Sequence, residues 1–213
     1  GHCPHPMHGR ANPGHHETLH RDIVVSKRRR LKNKSVTLHR PKTTTLMEFP
    51  HVDLPVDLIA WTDVTEDILN IYKQSCRLKA CIFALCTEGS ITVSINLIDT
   101  EIRQGDFIIL LPGTIIQFHG QKEKVRICFA GFSEHCLNGV NIIQSTMSSY
   151  SKIIEAPVIP LNETLASYFR DYFALLARIS TGPYMPKTRM AQNVLDTLLY
   201  GVNELYSNRP DSQ

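Results

Sequence analysis

No apolar run in this chain reaches the length needed to cross a bilayer; stretches such as Phe107 to Leu111 are strand-sized. The first residues are polar and rich in His and do not read as an apolar secretion signal, which leads to the expectation of a cytoplasmic protein without a membrane partner. The six cysteines, at positions 3, 76, 81, 86, 128 and 136, form no Cys-x-x-Cys pair. That spacing argues against a zinc site or a redox dithiol, and the apolar setting of Cys76, Cys81 and Cys86 points to buried, reduced thiols. Cys86 backed by His119 or His135 as a base is the alternative, which one sequence leaves untested. Tryptophan occurs once, at Trp61, so the core has one large anchor of that kind.

Basic charge is scarce where it would matter most for binding nucleic acid. Residues 1–45 hold ten of the 23 Lys and Arg and two of the 20 acidic residues, which leaves 13 basic against 18 acidic residues in 46–213. A mildly acidic body is a poor holder of phosphate backbones. The basic run Lys27 to Arg30, with Lys32 and Lys34, follows six histidines, His2, His5, His8, His15, His16 and His20, interrupted by Pro4, Pro6, Pro13 and Gly14. With no apolar periodicity, residues 1–45 are expected to be a disordered, solvated extension; a nucleic-acid arm or a metal site built on the histidines is the other reading.

From residue 46 to 160 the signals are those of a β-barrel. Ile91, Val93, Ile95 and Leu97 alternate with Thr92, Ser94 and Asn96, as in a strand with one apolar and one wet face. Turns are expected at Asp99-Thr100, Gly105-Asp106, Pro112-Gly113 and Gly120-Gln121, with strands over Phe107 to Leu111, Ile115 to Phe118 and Val125 to Phe132. Short strands at this spacing predict a barrel or jelly roll. Its apolar interior is assigned to Ile91, Val93, Ile95, Ile109, Leu111, Ile116 and Phe118, which either line an effector pocket or fill a core.

After Pro157 the period lengthens to that of helices. Leu161, Leu165, Tyr168, Tyr172, Leu175 and Ile179 recur every three or four residues behind a candidate cap, Asn162, with Gly182-Pro183 as a stop. A second helix over Lys187 to Tyr206 repeats the pattern at Ala191, Leu195, Leu198, Val202 and Leu205. So much apolar surface in residues 161–208 predicts a helix hairpin that packs on the barrel and pairs with a second copy through those five residues; the alternative is that the barrel and the first helix bury all of it.

The run from Cys86 to Ile95, the segment from Gly105 to Gln117 and the helix ending Leu198 to Tyr206 together resemble the amino-terminal regulatory half of AraC/XylS-type transcriptional regulators, over about residues 46–208. The resemblance implies a mainly β, cupin-like double-stranded β-helix barrel that binds a small effector, a dimerising antiparallel helix hairpin behind it, and DNA contact through a separate helix-turn-helix domain. Residues 209–213 are then the start of a linker to such a domain, which needs on the order of a hundred further residues. Metal-binding cupins place His-x-His after a glycine, with a Glu beyond; counting from Gly89 puts Ile95 and Leu97 at the His positions and leaves Glu101, expected to be a solvated turn residue. Aliphatic side chains cannot donate to a cation, so neither a metal, a cofactor nor a catalytic residue is expected. The alternative is a small metal-dependent cupin enzyme, an isomerase or oxygenase, using Glu101, His119 and His135.

Overall fold

A computed structural model describes residues 48–208 apart from 65–68, 70–71, 120–123, 147–148 and 184–186. The expected extension over residues 1–45, the turn at Gly120-Gln121, Cys3 and the linker over 209–213 lie outside the described residues.

Among the described residues ten short strands make two sheets. They are β1 (His51–Val52), β2 (Leu58–Val64), β3 (Cys76–Leu78), β4 (Cys81–Glu88), β5 (Ser90–Ile95), β6 (Ile98–Arg103), β7 (Asp106–Leu110), β8 (Ile115–Phe118), β9 (Arg126–Phe132) and β10 (Val158–Pro160). The first sheet runs β1-β3-β8-β5-β6 and the second β10-β7-β4-β9-β2, with every pairing antiparallel except β1 with β3. This is a cupin-like barrel made of two facing sheets.

Glycine is required where β4 turns into β5. Gly89 has φ of 76°, and a Cβ there would stand 2.0 Å from the carbonyl oxygen of Lys124. Between β5 and β6 the turn falls at Asn96-Leu97, whose φ angles are 50° and 69°, three residues before the expected Asp99-Thr100 turn. Asparagine tolerates the left-handed region, and Asn96 is tied to β8 twice: its N–H donates to the Ile115 carbonyl at 2.8 Å, and its Oδ1 accepts from the Ile115 N–H at 3.0 Å. Leu97 therefore leaves the strand and stands exposed on the hairpin tip, while Asp99 and Thr100 belong to β6.

Among the described residues five helices follow: α1 (Glu134–Leu137), α2 (Ile142–Ser145), α3 (Tyr150–Glu155), α4 (Glu163–Ser180) and α5 (Lys187–Ser207). Asn162 caps α4, its Oδ1 accepting from the Leu165 N–H at 2.9 Å. The helices close one face of the second sheet. On that side Leu58, Ala60, Cys81, Phe83, Leu85, Phe107, Cys128, Ala130 and Phe132 form one continuous core with Phe173, Leu176, Leu195, Leu199 and Tyr206. The Phe107 ring centre lies 4.3 Å from that of Phe169 and 6.3 Å from that of Phe173, nearly parallel to the latter. At the far end of the hairpin the Tyr206 hydroxyl donates to the Ala156 carbonyl and the Ser149 hydroxyl to Asn203 Oδ1 at 2.6 Å, which fixes α5 beside α3.

Candidate functional site

The second sheet is buried on both faces, and this decides what lines the space between the sheets. Phe83, Leu85, Phe107 and Ile109 point to the helices; their neighbours Ala84, Cys86, Ile108 and Leu110 take the opposite face and are buried as well. Ile127 and Ile59 share that inner face by register with β4 and β9. From the first sheet come Ile91, Val93, Ile95, Ile102 and Ile116, each buried.

Among the expected pocket residues, Ile91, Val93, Ile95 and Ile116 sit together on the inner face of the first sheet. Ile109 and Leu111 do not: both belong to the helix-side core, one residue out of step with Ile108 and Leu110. Phe118 shares the face of its register partner Val93 but is only half-buried, its ring centre 5.8 Å from that of Tyr72. The inner residues missed in the sequence, Ala84, Cys86, Ile108 and Leu110, lie in unbroken apolar runs that carry no period-two signal.

Helix α5 gives a second correction. Ala191, Leu195, Leu198 and Val202 are buried in the chain's own core and Leu205 is half-buried against it, so the stripe expected to meet a second copy is already covered by the barrel and the shorter helices. Its apolar period reported burial, which an intramolecular neighbour satisfies equally well.

Polar side chains cluster on the outside of the barrel. His119 Nε2 lies 2.6 Å from Ser94 Oγ and 3.2 Å from Asp99 Oδ1, and the Ser94 hydroxyl donates to the same Asp99 oxygen. The hydrogen bond from Ser94 is the main cause holding the Asp99 carboxyl below its usual range, followed by the nearby His119. A relay needs the serine on one imidazole nitrogen and the carboxylate on the other; here both crowd Nε2, so the trio is not arranged for nucleophilic catalysis.

Neither histidine stands behind Cys86. This thiol is fully buried, reaches the carbonyls of Glu88 at 3.5 Å and Gly89 at 3.7 Å, and is pushed up to about 11, chiefly by burial. Burial likewise pushes Cys128 and Cys136 up to about 12, and raises Cys81. The five described cysteines are buried, and among the described residues none is in a disulfide. In the folded chain these five are expected to resist an aromatic disulfide reagent and to react once the chain is unfolded; fast labelling of Cys86 in the native state would contradict its burial.

Among the described residues no group of three or more His, Cys, Asp or Glu is placed to hold a metal ion. Glu101, His119 and His135 are each engaged elsewhere: Glu101 with Arg103 at 2.6 Å, His119 with Ser94 and Asp99, and His135 Nδ1 with Asp57 Oδ1 at 2.9 Å. Glu101 is exposed, as expected, but in strand β6 and not in a turn. No described helix is long and apolar enough to cross a membrane.

No family model and no curated protein sequence matches the chain. Among solved structures it is similar to apo ToxT from Vibrio cholerae, at 11% identity over 76% of this chain and 54% of that one with a TM-score of 0.38. It is similar also to the Cnp3 cupin domain of Schizosaccharomyces pombe, at 18% identity over 32% of this chain and 54% of that one, TM-score 0.27. Bacillus subtilis oxalate decarboxylase follows at 14% identity over 57% of this chain and 47% of that one, TM-score 0.24. The chain spans about half the length of these proteins. Likenesses this distant decide nothing about activity, which has to be argued from the residues.

Proposed function

We propose that the chain is the sensor portion of a cytoplasmic transcription regulator, which holds a small, largely apolar effector between its two sheets, performs no catalysis and passes the signal through its helices to a helix-turn-helix domain. The observation that supports this most is the lining of the interior. Ile95 occupies an inner position where a metal-binding cupin keeps a histidine, Leu97 has left the interior altogether, and the remaining inner side chains are aliphatic, aromatic or protonated thiols. Such a wall recognises shape and apolar surface, and it offers no group with which to activate water or a carbonyl.

Two measurements bear on the proposal. Titration of the folded chain with the apolar dye anilinonaphthalene sulfonate is expected to give saturable one-site binding that Ile95→Trp abolishes without unfolding the chain; absence of binding would remove the effector. Metal analysis after equilibration with iron(II) or manganese(II) is expected to find substoichiometric metal, and one equivalent of either ion would overturn the reading in favour of a metal-dependent cupin enzyme. The coding sequence downstream of Gln213 is expected to encode the helix-turn-helix domain.

A further inference from the structure

The five residues between β1 and β2, Asp53 to Asp57, touch both the barrel interior and the helices. On the interior side Leu54 lies over Gly131, which pairs with Ile82 and Ile59 on the inner face of the second sheet. A Cβ at Gly131 would stand 2.7 Å from Leu54 Cδ1, while the next nearest atoms, of Phe129 and Ile82, lie at 3.5 and 3.8 Å. The absent side chain of Gly131 is thus the seat of Leu54. On the helix side Asp53 Oδ1 accepts from the Leu54 N–H at 2.8 Å and from the Glu134 N–H, at the start of α1, at 2.9 Å. Four residues on, the Asp57 carbonyl accepts from the Ser133 N–H at 3.2 Å, and its carboxylate binds the Ser133 hydroxyl, His135 and Thr188 of α5. One carboxylate oxygen therefore carries the backbone of Leu54 and the first N–H of α1 together.

We propose that this strap is the link by which the barrel interior acts on the helices: an occupant that reaches Gly131 displaces Leu54, and the displaced strap loosens its hold on α1 and on the first turn of α5. The two arrangements are Leu54 seated with these hydrogen bonds made, and Leu54 lifted with them released. An occupant of the Leu54 seat fits only the second, which supplies the differential affinity that a shift of state requires. A push straight through the second sheet is the poorer route, because Phe83, Phe107 and Phe132 on its helix side are fully buried and close-packed. The proposal deepens the reading of the chain as a sensor and rests on it for the natural occupant. The coupling within the strap can be measured without one.

Gly131→Ala supplies the displacement from within, since its methyl group takes the place of Leu54 Cδ1 and meets its other nearest neighbours at ordinary contact distance. Hydrogen exchange followed by NMR is expected to be about fivefold or more faster in this variant at the amides of Glu134 and Cys136, with the Phe173 amide unchanged as a sign that the fold is intact. Adding Leu54→Ala to Gly131→Ala removes the clash and is expected to restore the wild-type rates. Saturating anilinonaphthalene sulfonate is expected to speed the same two amides in the wild-type chain, and to bind Leu54→Ala without affecting them. Wild-type rates in a folded Gly131→Ala, rates that stay high in the double variant, or dye that binds the wild-type chain and leaves α1 as it was would each overturn the coupling. Should Gly131→Ala not fold, the dye comparison between the wild-type chain and Leu54→Ala decides. A dye that does not bind overturns the effector reading alone, and the Gly131 variants then decide the strap.

Discussion

Phe173→Ala is expected to lower the unfolding free energy by about 3–5 kcal/mol, the usual cost of removing a large aromatic side chain from a packed core. Phe173 is fully buried, and its ring lies nearly parallel to that of Phe107, with centres 6.3 Å apart, and 6.1 Å from that of Phe169. The core around it draws on β2, β4, β7, β9 and β10 and on α1, α3, α4 and α5, so the vacated volume cannot close by moving one loop. For a domain whose whole stability is of the order of 5–15 kcal/mol, this loss approaches the threshold of folding. Urea unfolding with an unchanged slope measures it. Tyr168→Ala, on the exposed side of the same helix, is the internal comparison and is expected to change stability by less than about 0.5 kcal/mol under monomeric conditions. Equal effects at the two positions would mean that α4 is not seated on the barrel by this face.

The pair also shows which parts of the architecture were legible in the sequence. Helix α4 declared its existence, its Asn162 cap and its end, because these are local signals. Which stripe it buries was hidden, since Phe169, Phe173 and Leu176 compete with Tyr168, Tyr172 and Leu175 on a helix that is apolar over more than half its circumference. The same ambiguity misplaced Ile109 and Leu111. Strand β5 has one buried and one wetter face, so its alternation located Ile91, Val93 and Ile95, whereas β7, buried on both faces, reads Phe107 to Leu111 as an even apolar run in which a shift of one residue is invisible. The hairpin at Asn96-Leu97 was missed because leucine is a poor residue for the left-handed region, and only its fixation to Ile115 explains it. Asp57 could not be singled out at all: the side chains that bind it lie 76, 78 and 131 residues further along the chain.

Asp57 should nonetheless be among the costliest positions to alter. Its carboxylate, 14% exposed, sits just before β2 and accepts from the Ser133 hydroxyl at 2.8 Å, from His135 Nδ1 at 2.9 Å and from the Thr188 hydroxyl. Ser133 caps α1 and Thr188 lies in the first turn of α5, so one side chain ties the edge of the second sheet to both helices. Asp57→Ala leaves these donors without their acceptor and is expected to cost about 2–4 kcal/mol, since hydrogen bonds to a charged group are the stronger kind and the orphaned, buried Ser133 hydroxyl adds its own penalty. Burial works to raise the Asp57 pKa; the hydrogen bonds from Thr188, His135 and Ser133, with the charge of His135, outweigh it and leave the carboxyl below its ordinary range. A depressed folded-state pKa favours the folded form above the unfolded value of about 3.9, and that contribution disappears as the pH falls through the folded value. The stability difference between the wild-type chain and Asp57→Asn is therefore expected to be constant around neutral pH and to shrink on acidification below about pH 4. If the difference instead persists undiminished at the lowest pH where the chain still folds, the Asp57 charge is not what joins the helices to the barrel.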